Sequence, residues 1–247
     1  MDYLSNPERK KLIVGGHRGH QSDVRENTIE NFAQIVGKGV PYIEIDVQLT
    51  QDGELVIFHD QELSRTTDCA GTIRDYSLAD LRASFRINTV KEVLDWAQSA
   101  PMGIAFELKL YPMYTLEERA KVASSLVSEI KEHDYYQDCF VFGKDYQTLK
   151  MIRTLDKNIN IAIIAPNDPD AVLPLMKELR AFMYLDWLKG FSKELVAKLH
   201  ENGYLADGSV VDTIEGMKMA VDLGLDMIES NKPEEMIAFR DRYYSMN

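Results

Sequence analysis

Cysteine is nearly absent: Cys69 and Cys139 are the only two in 247 residues, 70 positions apart and outside any CxxC spacing. Such a pair builds no disulfide framework and reads as two free thiols in a reducing compartment. No apolar run approaches the ~18–20 residues that a membrane-spanning helix requires. The start, MDYLSNPERKKLIVGGHRG, has no apolar core ahead of a cleavage site. The expectation is a cytoplasmic protein with no membrane span. Positive charge is also short, with 28 Lys+Arg against 40 Asp+Glu and a formal net charge of −12. Nucleic acid and an anionic membrane surface both call for a basic face, so neither is an expected partner. A small anionic substrate stays compatible, because a few basic side chains or a metal reverse the sign locally. The chain has no GxSxG elbow, no P-loop and no GxGxxG, which removes a hydrolase-type serine triad and a nucleotide cofactor from consideration. Linker-like stretches and short-period repeats are missing too, so residues 1–247 read as one domain.

What is present is alternation. Strand-like apolar runs occur at Leu12–Gly16, Tyr42–Val47, Glu54–His59, Ile104–Leu110, Cys139–Phe142, Ile159–Ala165, Ala181–Asp186, Tyr204–Val211 and Met227–Ser230. Helical patterns lie between them at Thr28–Lys38, Thr89–Ser99, Thr115–His133, Tyr146–Leu155, Asp168–Leu179, Ser192–Asn202 and Thr213–Leu223. Thr115 with Glu118 forms a capping-box pattern, and Gly37 and Gly39 end the first helix. Strand–helix alternation over this length predicts an α/β fold of the (β/α)8 TIM-barrel type. Nine runs are one too many for eight positions. Asp52-Gly53 is a hairpin signal, and a hairpin cannot join parallel strands. Either the barrel is irregular there or one run lies outside it.

The polar residues gather at ends of the early strands. His17 and Arg18 follow the first run, in Gly15-Gly16-His17-Arg18-Gly19. In Tyr42–Val47 the alternation puts Ile43, Ile45 and Val47 on one face and Glu44 and Asp46 on the other, which points inward in a barrel. Two inward carboxylates repel and lose hydration, and a divalent cation relieves both penalties. Hard oxygen ligands suit Mg²⁺ or Ca²⁺. Ala105, Glu107 and Lys109 share a face in the same way, so Glu107 is the third candidate ligand and Lys109 a candidate phosphate contact. His59, just past its own run, pairs with His17 as a candidate acid/base couple.

These motifs carry a resemblance. GGHRGHQSDVRENTIENF followed by YIEIDVQLTQDGELVIFHDQELSRTT strongly resembles the glycerophosphodiester phosphodiesterase family, whose pattern is HRG, ENT, E-x-D-V, DG, HD and RTT. INTVKEVL, FELK and GLDMIESNKP resemble later family segments. The resemblance implies a distorted (β/α)8 barrel and metal-assisted cleavage of a small-molecule phosphodiester. It implies one divalent cation, Mg²⁺ or Ca²⁺, on Glu44, Asp46 and Glu107, and His17 and His59 as general acid and base. Arg18 and Lys109 would contact phosphate, and Asn27 of the ENT match would face the site. The chain departs from the pattern on the alcohol side. Ser209 stands where the family has Trp, Gly143-Lys144 where it has Ser-Phe, and Ser230-Asn231 where it has Thr-Asp. The segment from Arg82 to Ile87 is shorter than in many members, which trims a lid. These departures point to an alcohol larger or more hydroxylated than glycerol, such as a sugar phosphodiester, with Lys144 contacting it. The competing expectation is that Trp187 refills the wall while Lys144 points to solvent. A lysophospholipase D-type activity and a ligand-binding barrel are the remaining alternatives.

Overall fold

The computed structural model describes residues 11–165 and 169–246. Strand β2 (Tyr42–Leu49) is buried along its whole length, as both of its faces are covered. Ile43, Ile45 and Val47 pack outward into the main core with Val93, Leu94, Val122 and Leu126 of the helices. Tyr42 points the other way, into a second core with Ile13, Ala105, Phe140, Met183 and Met227. That second core fills the floor of a barrel.

The strands in chain order are β1 (Ile13–Gly16), β2, β3 (Leu55–Ile57), β4 (Gly103–Leu108), β5 (Cys139–Gly143), β6 (Ala162–Ile164), β7 (Met183–Asp186), β8 (Leu205–Gly208) and β9 (Met227–Ser230). Among the described residues eight of them run parallel, in the order β5-β4-β2-β1-β9-β8-β7-β6. A single parallel bridge between Val141 and Ile161 nearly closes the ring between β5 and β6. The ninth strand resolves the excess in the sequence pattern. β3 turns back through Asp52-Gly53 and pairs antiparallel with the end of β2, outside the ring. Gly53 sits at φ +86, as that tight turn requires.

The helices are α1 (Ile29–Ala33), α2 (Leu78–Ser84), α3 (Val90–Ser99), α4 (Leu116–Glu132), α5 (Tyr146–Leu155), α6 (Pro169–Leu179), α7 (Lys193–Glu201), α8 (Ile214–Leu223) and α9 (Pro233–Met246). Thr115 and Glu118 cap α4 reciprocally, and Ser192 caps α7, as the sequence suggests. The first helix is shorter than its pattern. Thr28 caps it, but the chain leaves it at Gln34 and reaches β2 through Gly37 and Gly39, both with positive φ. The start of the Asp168–Leu179 pattern lies outside the described residues. The segment between β3 and α3 packs Phe58, Leu63, Ile73, Leu81 and Ile87 with Val56 of β3 into a small core of its own. Its Phe85 packs on Phe58, and Arg25 of the β1–α1 loop lies over the Phe85 ring at 5.0 Å. No helix among the described residues is long and apolar enough to cross a membrane.

Candidate active site

Above the apolar floor the lumen turns acidic. Glu44 and Asp46 are fully buried on β2, and Glu107 on β4 is in register with Asp46. One carboxylate oxygen from each of the three lies within 4.8 Å of the others. Among the described residues Glu44 Oε1 has no hydrogen-bond partner, and Asp46 Oδ1 has only the Lys109 ammonium at 3.3 Å. Buried charges normally find partners, so orphaned carboxylate oxygens aimed at one point are the donor set that a hard divalent cation requires. The residues fit the group.

Two cations of the chain itself border this set. Lys109 reaches Glu107 at 2.7 Å as well as Asp46. Burial opposes its charge, but Asp46 and Glu107 outweigh it and raise its pKa above the ordinary value. Arg18 sits at φ +53, a left-handed conformation that turns its backbone N–H onto Glu44 Oε2 at 3.0 Å. Its guanidinium meets Asp46 Oδ2 at 3.4 Å and Glu26 at 3.1 Å. Both ends of the Asn27 amide engage Asp46: Nδ2 donates to Oδ2 at 2.6 Å, and Oδ1 accepts from the Asp46 N–H at 3.2 Å. Asn27 therefore meets the site through that carboxylate.

Burial penalises every one of these acids, and their neighbours separate them. For Asp46 the neighbouring positive charge, Lys109 foremost and then Arg18, wins, and its pKa falls below the usual carboxylate value. For Glu44 burial and the adjacent Asp46 charge push it well up, and burial raises Glu107 against the pull of Lys109.

The two histidines stand at the ends of β1 and β3 with different supports. His17 donates its backbone N–H to Ser230 O at 2.9 Å, and its Nδ1 lies 2.8 Å from Asn231 Oδ1. Burial, then Arg18, lowers its pKa to about 4. A cleft bounded by His17, Asp23, Arg25, Glu26, Thr66 and Asn231 opens beside it. His59 Nδ1 lies 2.6 Å from Asp60 Oδ1, and Arg65 bridges Asp60 and Glu26. Tyr111 donates its hydroxyl to His59 O at 2.7 Å. Gln48, buried on β2, donates to Phe58 O at 2.7 Å and Asp60 O at 2.8 Å, which fixes the His59 segment to the barrel.

Lys144 is exposed just beyond the end of β5. Trp187, 64% exposed past the end of β7, lines one cleft with Ser209, Val211 and Asp212. Two more lumen acids escape the sequence reading. Asp207 on β8 and Glu229 on β9 are fully buried, and each keeps an oxygen without a hydrogen-bond partner among the described residues. A lone acid in a short run carries no signal. Only ring closure brings β8 and β9 round to β1.

Three converging carboxylates in the lumen thus stand with two histidines at the ends of β1 and β3, strands that both pair with β2. The model of the glycerophosphoryl diester phosphodiesterase family matches residues 17–234. The chain belongs to that family. It is a phosphoric diester hydrolase. It is 27% identical over 243 residues to the glycerophosphodiester phosphodiesterase of Caldanaerobacter subterraneus subsp. tengcongensis, covering 92% of this chain and 97% of the relative. It is 29% identical over 249 residues to that of Bacillus altitudinis, covering 92% and 98%. A phosphodiesterase from Oleispira antarctica, solved in complex with the product sn-glycerol-3-phosphate, is 25% identical with a TM-score of 0.84, covering 94% of this chain and 97% of that one. These full-length matches carry the distorted barrel read from the sequence.

Proposed function

We propose that this phosphodiesterase cleaves a glycerophosphodiester, or a closely related small phosphodiester, to an alcohol and a phosphomonoester. The observation that carries the reading is the convergence of Glu44, Asp46 and Glu107, the first two with oxygens that accept no hydrogen bond among the described residues, in a barrel with histidines at the ends of β1 and β3. These three residues would hold one divalent cation, Mg²⁺ or Ca²⁺. Such a cation, when bound, neutralises charge building up at phosphorus and lowers the pKa of a substrate hydroxyl.

The remaining work falls to the chain's own residues. Arg18 and Lys109 set positive charge at the rim of the acidic group, where phosphate oxygens can be held. Asn27 keeps Asp46 in place. His17 and His59 divide the proton traffic: one takes a proton from the attacking hydroxyl or water, and the other protonates the leaving alkoxide. A neighbouring substrate hydroxyl is a fitting first nucleophile, giving a cyclic phosphate for water to open. On the alcohol side Trp187 shares its cleft with Ser209, which supports an aromatic wall for a compact carbon face such as glycerol. Lys144 is left for a polar group of the alcohol, the feature that favours a sugar diester.

The test is turnover of glycerophosphocholine, glycerophosphoethanolamine and a sugar phosphodiester, with and without a chelator. Chelation should abolish turnover. His17→Ala and His59→Ala should each lower kcat by ~10²–10⁴-fold. Full activity in chelator, or near-normal kcat in both histidine variants, would overturn the mechanism. A Lys144→Ala loss confined to the sugar diester would assign that residue to the alcohol.

A further inference from the structure

We propose that Asp212, between β8 and α8, is a positioning residue that fixes the tautomer of His17 through the side-chain amide of Asn231. The inference rests on the reading of His17 as a proton-transfer residue. Three hydrogen bonds converge on the Asp212 carboxylate. Oδ2 accepts from Asn231 Nδ2 at 2.7 Å, while Oδ1 accepts from the Asn231 backbone N–H at 2.7 Å and from Ser230 Oγ at 2.9 Å. An ionised carboxylate only accepts. The Asn231 amide therefore has one tolerable orientation, with its NH₂ on Asp212 and its oxygen on His17 Nδ1 at 2.8 Å. The flipped amide would set oxygen against carboxylate oxygen.

The consequence runs to the imidazole. An amide oxygen has no proton to give, so the bond to His17 exists only if Nδ1 carries the hydrogen. A neutral imidazole has one N–H, and Nε2 is left with its lone pair free for a proton. The backbone reinforces the choice, since His17 N–H bonds Ser230 O and Gln21 N–H bonds Asn231 O, so ring and amide ride on one frame. The group that meets Nδ1 is thus a neutral amide, with the Asp212 carboxylate behind it. The hydrogen bond to Asn231 by itself favours imidazolium, and burial with the Arg18 charge outweighs it, so the ring's pKa is depressed. His59 differs, because its Nδ1 meets the Asp60 carboxylate directly. The two imidazoles are thus held by chemically different partners, an amide oxygen and a carboxylate.

The experiment compares Asp212→Asn, Asn231→Asp and the double exchange Asp212→Asn/Asn231→Asp. The His17 tautomer is read from long-range ¹H–¹⁵N NMR, together with kcat, KM and the pH profile. In Asp212→Asn the amide of Asn231 is free to turn. His17 should lose its single tautomer and kcat should fall ~10–100-fold with KM nearly unchanged, the usual scale for a supporting partner. The double exchange puts a carboxylate at position 231 that accepts both from His17 Nδ1 and from the side-chain amide introduced at position 212. The Nδ1–H form and most of kcat should return. The acid limb of the pH profile should move upward in the double exchange and in Asn231→Asp, because a charge now faces the ring. If Asp212→Asn fails to fold, the double exchange, with its donors and acceptors restored between the two side chains and the ring, carries the test by its tautomer and its shifted limb. An unchanged tautomer and kcat in Asp212→Asn, or a double exchange lacking the Nδ1–H form or the upward limb, would overturn the proposal. The NMR readout also separates failures: an active His17→Ala sinks the proton-transfer reading, while the tautomer still reports on Asp212.

Discussion

Asp207 shows what the lumen does to a carboxylate that nothing neutralises. Burial, only partly offset by the hydrogen bond from Ser209 Oγ, lifts its pKa from 3.8 to about 7. Between those values the folded chain holds a proton that the unfolded chain releases. The stability it contributes is full below pH 3.8 and is lost as pH rises through 7. Asp207→Asn, which cannot ionise, should therefore stabilise the protein at pH 8 and change little at pH 4. At 1.36 kcal/mol per pKa unit the pH-dependent part of the gain is about 4 kcal/mol. Urea unfolding at the two pH values measures it, and an equal effect at both would show that Asp207 does not titrate in this range. Not every acid of the lumen is legible in the sequence. Strand alternation shows Glu44, Asp46 and Glu107 as inward acids, because each flanks apolar residues of the opposite face. Asp207 in Leu-Ala-Asp-Gly and Glu229 in Met-Ile-Glu-Ser sit in strands too short for such a pattern. Asn231 and Asp212 are polar residues in loops, and their meaning depends on His17, which lies 214 positions from Asn231.

At the scale of elements, α1 has five residues, too few to persist alone in water, yet it anchors the loop that bears the site. Fully buried Asn31 does this. Its Oδ1 accepts from His20 N–H at 2.9 Å, and its Nδ2 donates to His20 O and Val24 O at 2.9 Å and lies 3.3 Å from Ser22 Oγ. Asn31→Ala takes the side-chain partner from His20 N–H and His20 O, while Ser22 Oγ and Val24 O keep the bond between them. Unmet buried polar groups cost ~1–3 kcal/mol each, so a loss of ~2–4 kcal/mol is expected. Amide exchange at residues 19–24 should quicken more than in β2. Unchanged exchange there would show that the loop holds itself. Capping signals make several elements legible, and weak periodicity hides others. Ser77 and Asp80 form a capping box for α2, but that helix is seven residues long and buries only Leu81, so no periodicity announces it. α9 buries Pro233 and Met236 and little else, which leaves its apolar pattern diffuse. β6 and β8 are shorter than their runs: β6 keeps Ala162–Ile164, with Ile161 making the single bridge to Val141, and β8 keeps Leu205–Gly208.

The whole molecule is a closed arrangement that concentrates like charge. β2, β4, β8 and β9 each contribute to a lumen with five buried or nearly buried acids, set against Lys109 and Arg18. Alternation and length foretell the barrel, and the Asp52-Gly53 hairpin leaves an irregular barrel or a run outside it, of which the structure has the second. Which strands meet across the seam is set by closure, which no local pattern encodes. A fold built this way should respond to a divalent cation as a unit. A ligand bound only by the folded form stabilises by RT ln(1 + [L]/Kd), ~2.7 kcal/mol at 100 Kd. For a chain of this size that is a rise in Tm of ~5–10 °C. Glu44→Gln should lose most of that increment. Its cation-free form should melt above the cation-free parent, because one member of a buried repelling group is gone while the Arg18 N–H keeps an oxygen acceptor. Scanning calorimetry of parent and variant, with Mg²⁺, with Ca²⁺ and in chelator, reads both effects. An equal rise in the two proteins would place the cation elsewhere. A variant that melts below the parent in chelator would mean that the acids are already neutralised by protons, so that Glu44 serves the fold as a hydrogen-bonding side chain and not as a charge waiting for its partner.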